Sequence, residues 1–396
     1  MSQHRVSPTL PRRDSALDGL RGLAIVLVVL SHGWTVYPFD DIAKIAPFDA
    51  LLLAGNVAVT LFLVISGYLV TRSMLMARDA HGASGPWRTF LRRFLRISAS
   101  VAVLLLAVGV MSETDTTDTA PRDATQKSIL HVATYTWNWF VRAHALEARG
   151  DLGPLWYLSV EMQFYVVLAL VVALWGARRR ELGLALLILL PLVTWWRWHN
   201  YDAEGWYSSL LRTSTRIDGL LWGALVALLV PYLQATTKLL PRLRRRAAAL
   251  LGASSLVIVG IVMSSSRFDI GDYMKLQGLI MAMAVALFVA ANHFVEPTTL
   301  IVRALSWGPL RVLGSVSLTI YVWHSPLLWA VARHTTDWSN VTRTMVALAL
   351  LVLVTVVTHR LIDRPVQRWT SHIGRQAPRE EGAHVVKHPS STTNPN

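Results

Sequence analysis

Cysteine is absent from the chain of 396 residues. Its absence excludes disulfide bonds, thiolate metal sites and a cysteine nucleophile. Four signatures of soluble enzymes are missing as well: the P-loop, the glycine fingerprint of dinucleotide-binding domains, the G-x-S-x-G elbow and the H-E-x-x-H motif. The scattered histidines show no spacing typical of metal ligands, so we expect no metal site.

Charge is also scarce, because only 16% of the residues are charged and 53% are hydrophobic. A soluble protein rarely combines so few charges with so many long apolar runs. A membrane-spanning helix needs about 20 mostly apolar residues to cross roughly 30 Å of hydrocarbon. The sequence therefore predicts an all-α, polytopic membrane protein with about ten transmembrane helices. The predicted spans are 17–37, 50–71, 94–111, 155–175, 182–196, 209–233, 247–263, 275–292, 310–331 and 344–362.

The basic residues cluster between alternate spans. With a cytoplasmic N-terminus, 26 of the 38 Lys and Arg residues fall on the inner side, which predicts that both termini are cytoplasmic. The net charge of +14 is thus attributed to membrane topology rather than to nucleic-acid binding. The first apolar run lacks a small-x-small cleavage site, so we expect a retained helix and not a signal peptide.

The predicted organisation is a single membrane domain. We expect a cytoplasmic N-terminal segment at residues 1–16, a transmembrane domain at 17–369 and a disordered cytoplasmic tail at 370–396. The tail is rich in Pro, Ser, Thr and Asn, a composition typical of disorder. With no further domain expected, the membrane domain alone has to carry the function.

Two ionisable residues stand on one face of the first span. Arg21 and His32 are eleven residues apart, which is close to three helical turns and about 16 Å along the axis. Ionisable groups inside a span usually face a cavity or a partner. One interpretation is a polar stripe that lines a path. The other is that Arg21 reaches lipid phosphates and His32 is a hydrogen-bonded core histidine.

Further polar residues lie within or beside other spans, and each has a functional and a structural interpretation. For Glu161 the two interpretations are a substrate contact and a structural pair that locks two helices together. For Arg216 and Asp218 they are a substrate contact and an Arg–Asp ion pair that ties helix ends together. His324, close to Pro326, is either functional or a satisfied histidine at a helix kink. Arg93 and Arg96 share a helical face, where two guanidinium groups suit phosphate or simply mark topology.

Taken together, these blocks resemble the acyltransferase-3 family of integral membrane acyltransferases. The resemblance runs in family order from residue 17 to about 369. It is carried by Leu17-Asp18-Gly19-Leu20-Arg21, His32, the block around Ser66-Gly67-Tyr68, Arg92-Arg93-Phe94-Leu95-Arg96, Trp156-Tyr157-Leu158-Ser159-Val160-Glu161, Arg216-Ile217-Asp218-Gly219, Tyr321-Val322-Trp323-His324 and Ile362-Asp363-Arg364-Pro365.

The resemblance implies transfer of an acyl group, often acetyl from acetyl-CoA, to a sugar, glycan, glycolipid or small natural product. The basic–ten residues–histidine pattern falls on Arg21 and His32, and the Arg-x-x-Arg pattern on Arg93 and Arg96. The Ser-x-Glu pattern falls on Ser159 and Glu161. Many relatives carry acidic residues where this chain has Thr60 and Met162, which leaves the acceptor open.

The hypothesis is therefore an O-acyltransferase with His32 as general base, since the ordinary pKa of histidine lies near neutral pH. Glu161 or His324 would orient the base or bind the acceptor. Acyl-CoA is expected as a co-substrate without a permanently bound cofactor. Its phosphates would lie at Arg93 and Arg96, with Arg21 further along the thioester path.

The remaining candidates for acceptor binding are Arg216, Asp218, His324, Trp156 and Ser159. The other expected partners are membrane lipid and a homo-oligomeric copy, with no nucleic acid. Direct transfer and a transient acyl-histidine or acyl-Ser66 both remain open. The alternative from another class is a transporter or lipid-carrier flippase, whose buried charges would line a translocation path.

Overall fold

A computed structural model describes residues 14–38, 45, 48–236, 241–265, 278–292 and 300–373. Within this part of the chain every regular element is a helix and no strand occurs, which confirms the all-α prediction. The last described helix ends at Ser371, inside the predicted tail. Segments 1–13 and 374–396, which hold most of the predicted N-terminal segment and tail, lie outside the described residues.

The helices vary from one turn to more than eight turns. In chain order they are α1 Ser15–Val36, α2 Phe48–Leu52, α3 Gly55–His81, α4 Ser84–Thr114, α5 Arg122–Ala133, α6 Trp137–Ala143, a 3₁₀ turn Gly150–Leu155, α7 Trp156–Trp175, α8 Arg179–Leu211, α9 Thr213–Arg216, α10 Asp218–Thr236, α11 Pro241–Ser265, α12 Gly278–Asn292, α13 Leu300–Leu305, α14 Gly308–His334, α15 Asn340–Thr358, a π turn His359–Asp363 and α16 Arg364–Ser371.

Six of the described segments are long and apolar enough to cross a membrane: Ser15–Val36, Gly55–His81, Ser84–Thr114, Gly150–Trp175, Arg179–Leu211 and Asn340–Ser371. Large apolar side chains on their outer faces are exposed, as for Ile188 and Val352, each at 64%. Such faces are unfavourable in water and suit lipid. The protein is an integral membrane protein.

Helix α1 is held between α3 and α14, and its contact with α14 is very close. Asp14 caps the start of α1, because its carboxylate accepts hydrogen bonds from the amides of Ala16 (3.1 Å) and Leu17 (3.3 Å). On α14, a Cβ added to Gly314 would lie 1.8 Å from the carbonyl oxygen of Asp18. Small residues let helix backbones approach closely within membranes. This crossing sets Arg21 and His32 against α14.

Gly314→Ala is expected to destabilise the protein by about 1–3 kcal/mol, the usual cost of overpacking a tight contact. The added methyl group meets backbone, which cannot rotate away. The thermal midpoint of the purified protein in detergent measures the effect. Gly183→Ala is the control, because a Cβ there meets nothing within 4 Å. Equal midpoints for the two variants would contradict the close crossing.

Residues 115–155 form a folded connection that contributes a wall of the site. The Arg149 guanidinium donates to Asp118 (2.8 Å) and to Asp151 (2.7 Å), and all three side chains are buried. The Thr117 hydroxyl donates to Asp115 at 2.7 Å and lowers the pKa of that carboxyl, against the opposing effect of burial. The backbone around Gly150 and Pro154 is thereby fixed beside α1 and α14.

A break in helix α8 shapes a second wall of the site. Gly205 has φ +81°, in the left-handed region that side chains rarely adopt, and this residue divides α8 into two parts. The part after the break turns Trp206, Tyr207 and Leu210 toward α1.

Candidate active site

A basic cavity of about 700 Å³ opens at one end of the helices. Four arginines from α1 and α4 line it: Arg21, Arg92, Arg93 and Arg96. Residues of the final helix, Gln367 and Thr370 among them, form another wall. Guanidinium groups bind phosphate through forked, charge-assisted hydrogen bonds. The arrangement therefore suits a polyanionic ligand.

The arginines are oriented by neighbours within the protein. Arg93 donates to the hydroxyl of Tyr165 at 3.3 Å, and its guanidinium carbon lies 5.3 Å from the centre of that ring. Arg92 donates to the Thr89 hydroxyl at 3.2 Å. Asp363, on the cavity wall, accepts from the hydroxyl of Ser100 at 2.6 Å and from that of Thr319.

Glu161 lies at the inner end of the basic cavity. One of its carboxylate oxygens accepts hydrogen bonds from the hydroxyl groups of Tyr165 (2.5 Å) and Tyr157 (3.2 Å). These tyrosines stand one turn either side of Glu161 on α7. Two donors satisfy much of the carboxylate's need for hydrogen bonds away from water.

An aromatic cavity of about 650 Å³ occupies the other end of α1. Its walls include the rings of Trp34, Trp156, Trp206, Tyr207, Tyr321 and Trp329. His32 lines this cavity, together with the polar side chains of Ser31, Thr35, Asn56 and Ser325. The size falls in the range of about 300–1,000 Å³ typical of small-molecule sites.

His32 and His324 form a pair at the wall of the aromatic cavity, with ring centroids 5.0 Å apart in an edge-on arrangement. Nδ1 of His32 lies 2.9 Å from the Val28 carbonyl oxygen, and Nδ1 of His324 lies 2.7 Å from that of Tyr321. We assign the proton to Nδ1 in both rings, because a carbonyl can only accept. Nε2 of His32 is then a proton acceptor at a cavity that a ligand can enter.

A small polar cavity, called the constriction below, shares lining residues with both cavities. It encloses only about 40 Å³ and is lined by Arg21, Ser66, Glu161, Ser317, Tyr157 and Tyr321, among others. Arg21 and Glu161 also line the basic cavity, and Tyr321 also lines the aromatic cavity. Arg21 donates to the Ser317 hydroxyl at 3.2 Å. Polar groups thus extend from the arginines to Tyr321 at the edge of the aromatic cavity.

The remaining predicted residues do not all lie in one site. Trp156 lines the aromatic cavity, with the buried guanidinium of Arg216 stacked 5.5 Å from its ring centre. Ser159 is buried and lines none of the cavities described above. Asp218 is buried in an ion pair with Arg197. A helix-tying role for Asp218 is therefore favoured, with a partner that the sequence did not indicate.

The double variant Arg197→Met/Asp218→Leu tests this structural role. A buried ion pair is often replaceable by apolar residues without loss of stability. Nε and Nη2 of Arg197 also have no hydrogen-bond partner among the described residues, so the pair recovers little of its desolvation cost. We expect a near-normal thermal midpoint and an unchanged KM for the acceptor. Asp218→Asn alone should lower the midpoint, since it leaves Arg197 buried without a counterion.

Several residues of the site were missed by the sequence reasoning. Tyr157 and Tyr165 stand four residues before and after Glu161, a helical spacing that identifies them as neighbours of the carboxylate. Tyr321 stands three residues before His324, so its place beside the histidines was also open to prediction. No local pattern identifies Ser317, because it meets Arg21 from a helix 296 residues away.

The chain is similar to known acyltransferases. Residues 14–360 match the acyltransferase-3 family, described as an acyltransferase domain. The chain is 30% identical to BcsY of Komagataeibacter xylinus, a candidate membrane-bound transacylase by name, over 90% of this chain and 83% of that protein. It is 24% identical to the peptidoglycan O-acetyltransferase OatA of Listeria monocytogenes, over 89% of this chain and 56% of that protein.

A candidate O-acetyltransferase of Staphylococcus aureus strain COL is also 24% identical, over 89% of this chain. The chain spans a little over half of that relative, 57% of its length. No solved structure matches the chain. The family match covers most of the sequence and includes every residue that we assign to the constriction. The chain therefore belongs to the acyltransferase-3 family.

Proposed function

We propose that the protein transfers an acyl group, in the first place acetyl, from acyl-CoA to a hydroxyl group of a sugar, glycan, glycolipid or small natural product. One observation carries the proposal. A cavity lined by four arginines and a cavity lined by His32 each share lining residues with the same small, polar constriction. Thioester transfer to an alcohol requires a base for the hydroxyl proton. Acyl-CoA is a polyanion, which suits the arginines.

The donor is placed by its charges. The CoA phosphates bind Arg93 and Arg96 in the basic cavity, and the pantetheine arm extends past Arg21 toward the constriction. Arg21 and His32 are separated by about 16 Å along the helix axis, a distance comparable with the reach of that arm. The thioester then lies next to Tyr321, which lines both the constriction and the aromatic cavity.

The reaction is a direct transfer. Nε2 of His32 takes the proton of the acceptor hydroxyl, and the oxygen attacks the thioester carbon. The C–S bond breaks, and the CoA thiolate leaves with the proton from His32. No protein nucleophile is needed, in keeping with a chain that has no cysteine.

The proposal includes the orientation in the membrane. Ten described helical segments correspond to the ten predicted spans. They are the six long apolar segments, α14 and three shorter apolar segments at 218–232, 249–261 and 279–291. With both termini cytoplasmic, the arginines of α4 lie on the cytoplasmic side, where acyl-CoA is made. The aromatic cavity then faces the opposite side and receives the acceptor there.

Release of CoA distinguishes the enzyme from the transporter alternative. Purified protein in lipid nanodiscs receives radiolabelled acetyl-CoA and an envelope extract from the native cells, with muropeptides as one defined acceptor. We expect acceptor-dependent thiol release, read with a thiol reagent, and label in the acceptor. The chain adds no thiol background because it has no cysteine. Transport of a substrate without thiol release would overturn the proposal.

A further inference from the structure

The aromatic cavity contains no formally charged side chain among the described residues that line it. Its 21 lining residues are apolar, aromatic, hydroxyl-bearing or amide-bearing, with His32 as the one titratable imidazole. The basic cavity at the other end of α1 contrasts with it, since arginines and two carboxylates line that space. The two ends of the same path thus differ in the charge that they can accommodate.

An ion that enters this cavity loses water and contacts no charged side chain among the described residues that line it, since the Arg216 guanidinium lies behind the ring of Trp156. The cost of such a transfer is large unless the group is paired. A cationic acceptor would in addition oppose the positive charge that His32 acquires when it takes the hydroxyl proton. An anionic acceptor must be desolvated while His32 is still neutral. The cavity therefore disfavours both anionic and cationic groups.

The aromatic walls of the cavity determine the shape of the ligand that fits. Four tryptophans and two tyrosines offer flat faces, and Ser31, Thr35, Asn56 and Ser325 offer hydrogen bonds between them. A pyranose ring has the matching surface, with an apolar C–H face and a rim of hydroxyl groups. Aromatic residues with a few placed polar groups are the usual lining of such sites.

We propose that the acceptor unit that enters the aromatic cavity is an uncharged sugar ring, stacked on its tryptophans, and that charged sugars such as uronic acids, phosphosugars and free amino sugars are rejected. This inference rests on the proposed function and narrows its acceptor. The selecting residues are the aromatic walls, with Trp206 on the segment after the break in α8 as the most accessible of them.

The first test locates the transferred label. Hydroxyl-bearing material from the native cells is incubated with purified protein and radiolabelled acetyl-CoA, digested to single sugar units and separated by ion exchange. We expect at least about tenfold more label in neutral units than in anionic and cationic units together, for equal amounts supplied, a discrimination of about 1.4 kcal/mol. Equal labelling, or label mainly in charged units, overturns the inference while leaving acyl transfer in place. Absence of label and of thiol release contradicts the proposed function itself, and the inference with it.

The second test compares two tryptophans of α8 with similar exposure. Trp206 lines the aromatic cavity and is 43% exposed, whereas Trp198 lies outside it and is 45% exposed. Trp206→Ala should raise the KM for the labelled neutral acceptor about tenfold or more and leave the KM for acetyl-CoA unchanged, since stacking on an aromatic ring is lost. Trp198→Ala should change neither. Equal effects of the two variants, or an effect on acetyl-CoA alone, would refute stacking at Trp206.

Discussion

Replacing His32 with alanine is expected to lower the kcat of acyl transfer by about 100- to 10,000-fold, the range that general base catalysis contributes. The physical reason is the position of Nε2. With Nδ1 bonded to the Val28 carbonyl, Nε2 is the free basic atom of a ring that lines the aromatic cavity. The KM for acetyl-CoA should change little, because the proposed phosphate site is at the arginines of the basic cavity and not at His32.

The control for this variant is His199→Ala on α8. His199 is exposed, stacks on Trp195 with centroids 5.8 Å apart and is absent from the lining of both cavities. The His199→Ala substitution removes an imidazole that takes no part in the proposed reaction, so the kcat should not change. A monodisperse elution profile and retained binding of CoA would show that His32→Ala is folded. Turnover close to the wild type in that folded variant would refute the role of His32 as base.

The position of His324 distinguishes a catalytic role from a positioning role for this residue. Its ring is fully buried against His32, and its Nε2 has no partner among the described atoms. It does not line the aromatic cavity, so we propose that it orients His32 and does not contact the acceptor. The sequence hypothesis allowed either role, and the geometry favours orientation of His32. The two histidines come from helices α1 and α14, which the close crossing at Gly314 brings together.

Helical periodicity predicted the part of the site that lies on single helices. The spacing of Arg21 and His32 places both toward the path, and the spacing of Arg93 and Arg96 places both in the basic cavity. Hydrophobicity predicted the apolar helices, because the length of a span follows from the thickness of the membrane. These properties are local, so a single sequence contains them.

Contacts between distant helices were not predictable in the same way. The pairing of Arg21 with Ser317 and of Asp218 with Arg197 depends on how helices cross. Crossing is decided by backbone proximity at small residues such as Gly314, which one sequence shows only as a scattered glycine. The constriction that divides the path was likewise invisible, since it is made by tyrosines from α7 and α14.

The variant Arg93→Gln/Arg96→Gln is expected to raise the KM for acetyl-CoA by about 10- to 100-fold, the effect of losing charged hydrogen bonds to phosphate. The kcat at saturating donor should stay within a few-fold of the wild type, because both residues lie far from His32. Steady-state kinetics with acetyl-CoA as the varied substrate measures both values. Arg93→Lys should be intermediate, since it keeps the charge and loses the forked geometry.

Arg178→Gln/Arg180→Gln is the matched control, because it removes the same charge from two exposed residues at the start of α8. If general attraction of an anion to a basic surface explained the effect, both double variants would weaken donor binding equally. Acetyl-CoA without its 3′-phosphate sharpens the comparison. If the arginines contact that phosphate directly, the wild type should have a lower KM for acetyl-CoA than for the donor without the 3′-phosphate. The Arg93→Gln/Arg96→Gln variant should then have similar KM values for the two donors. Unchanged discrimination in the variant would assign the arginines to the diphosphate instead, and an unchanged KM would remove them from the donor site.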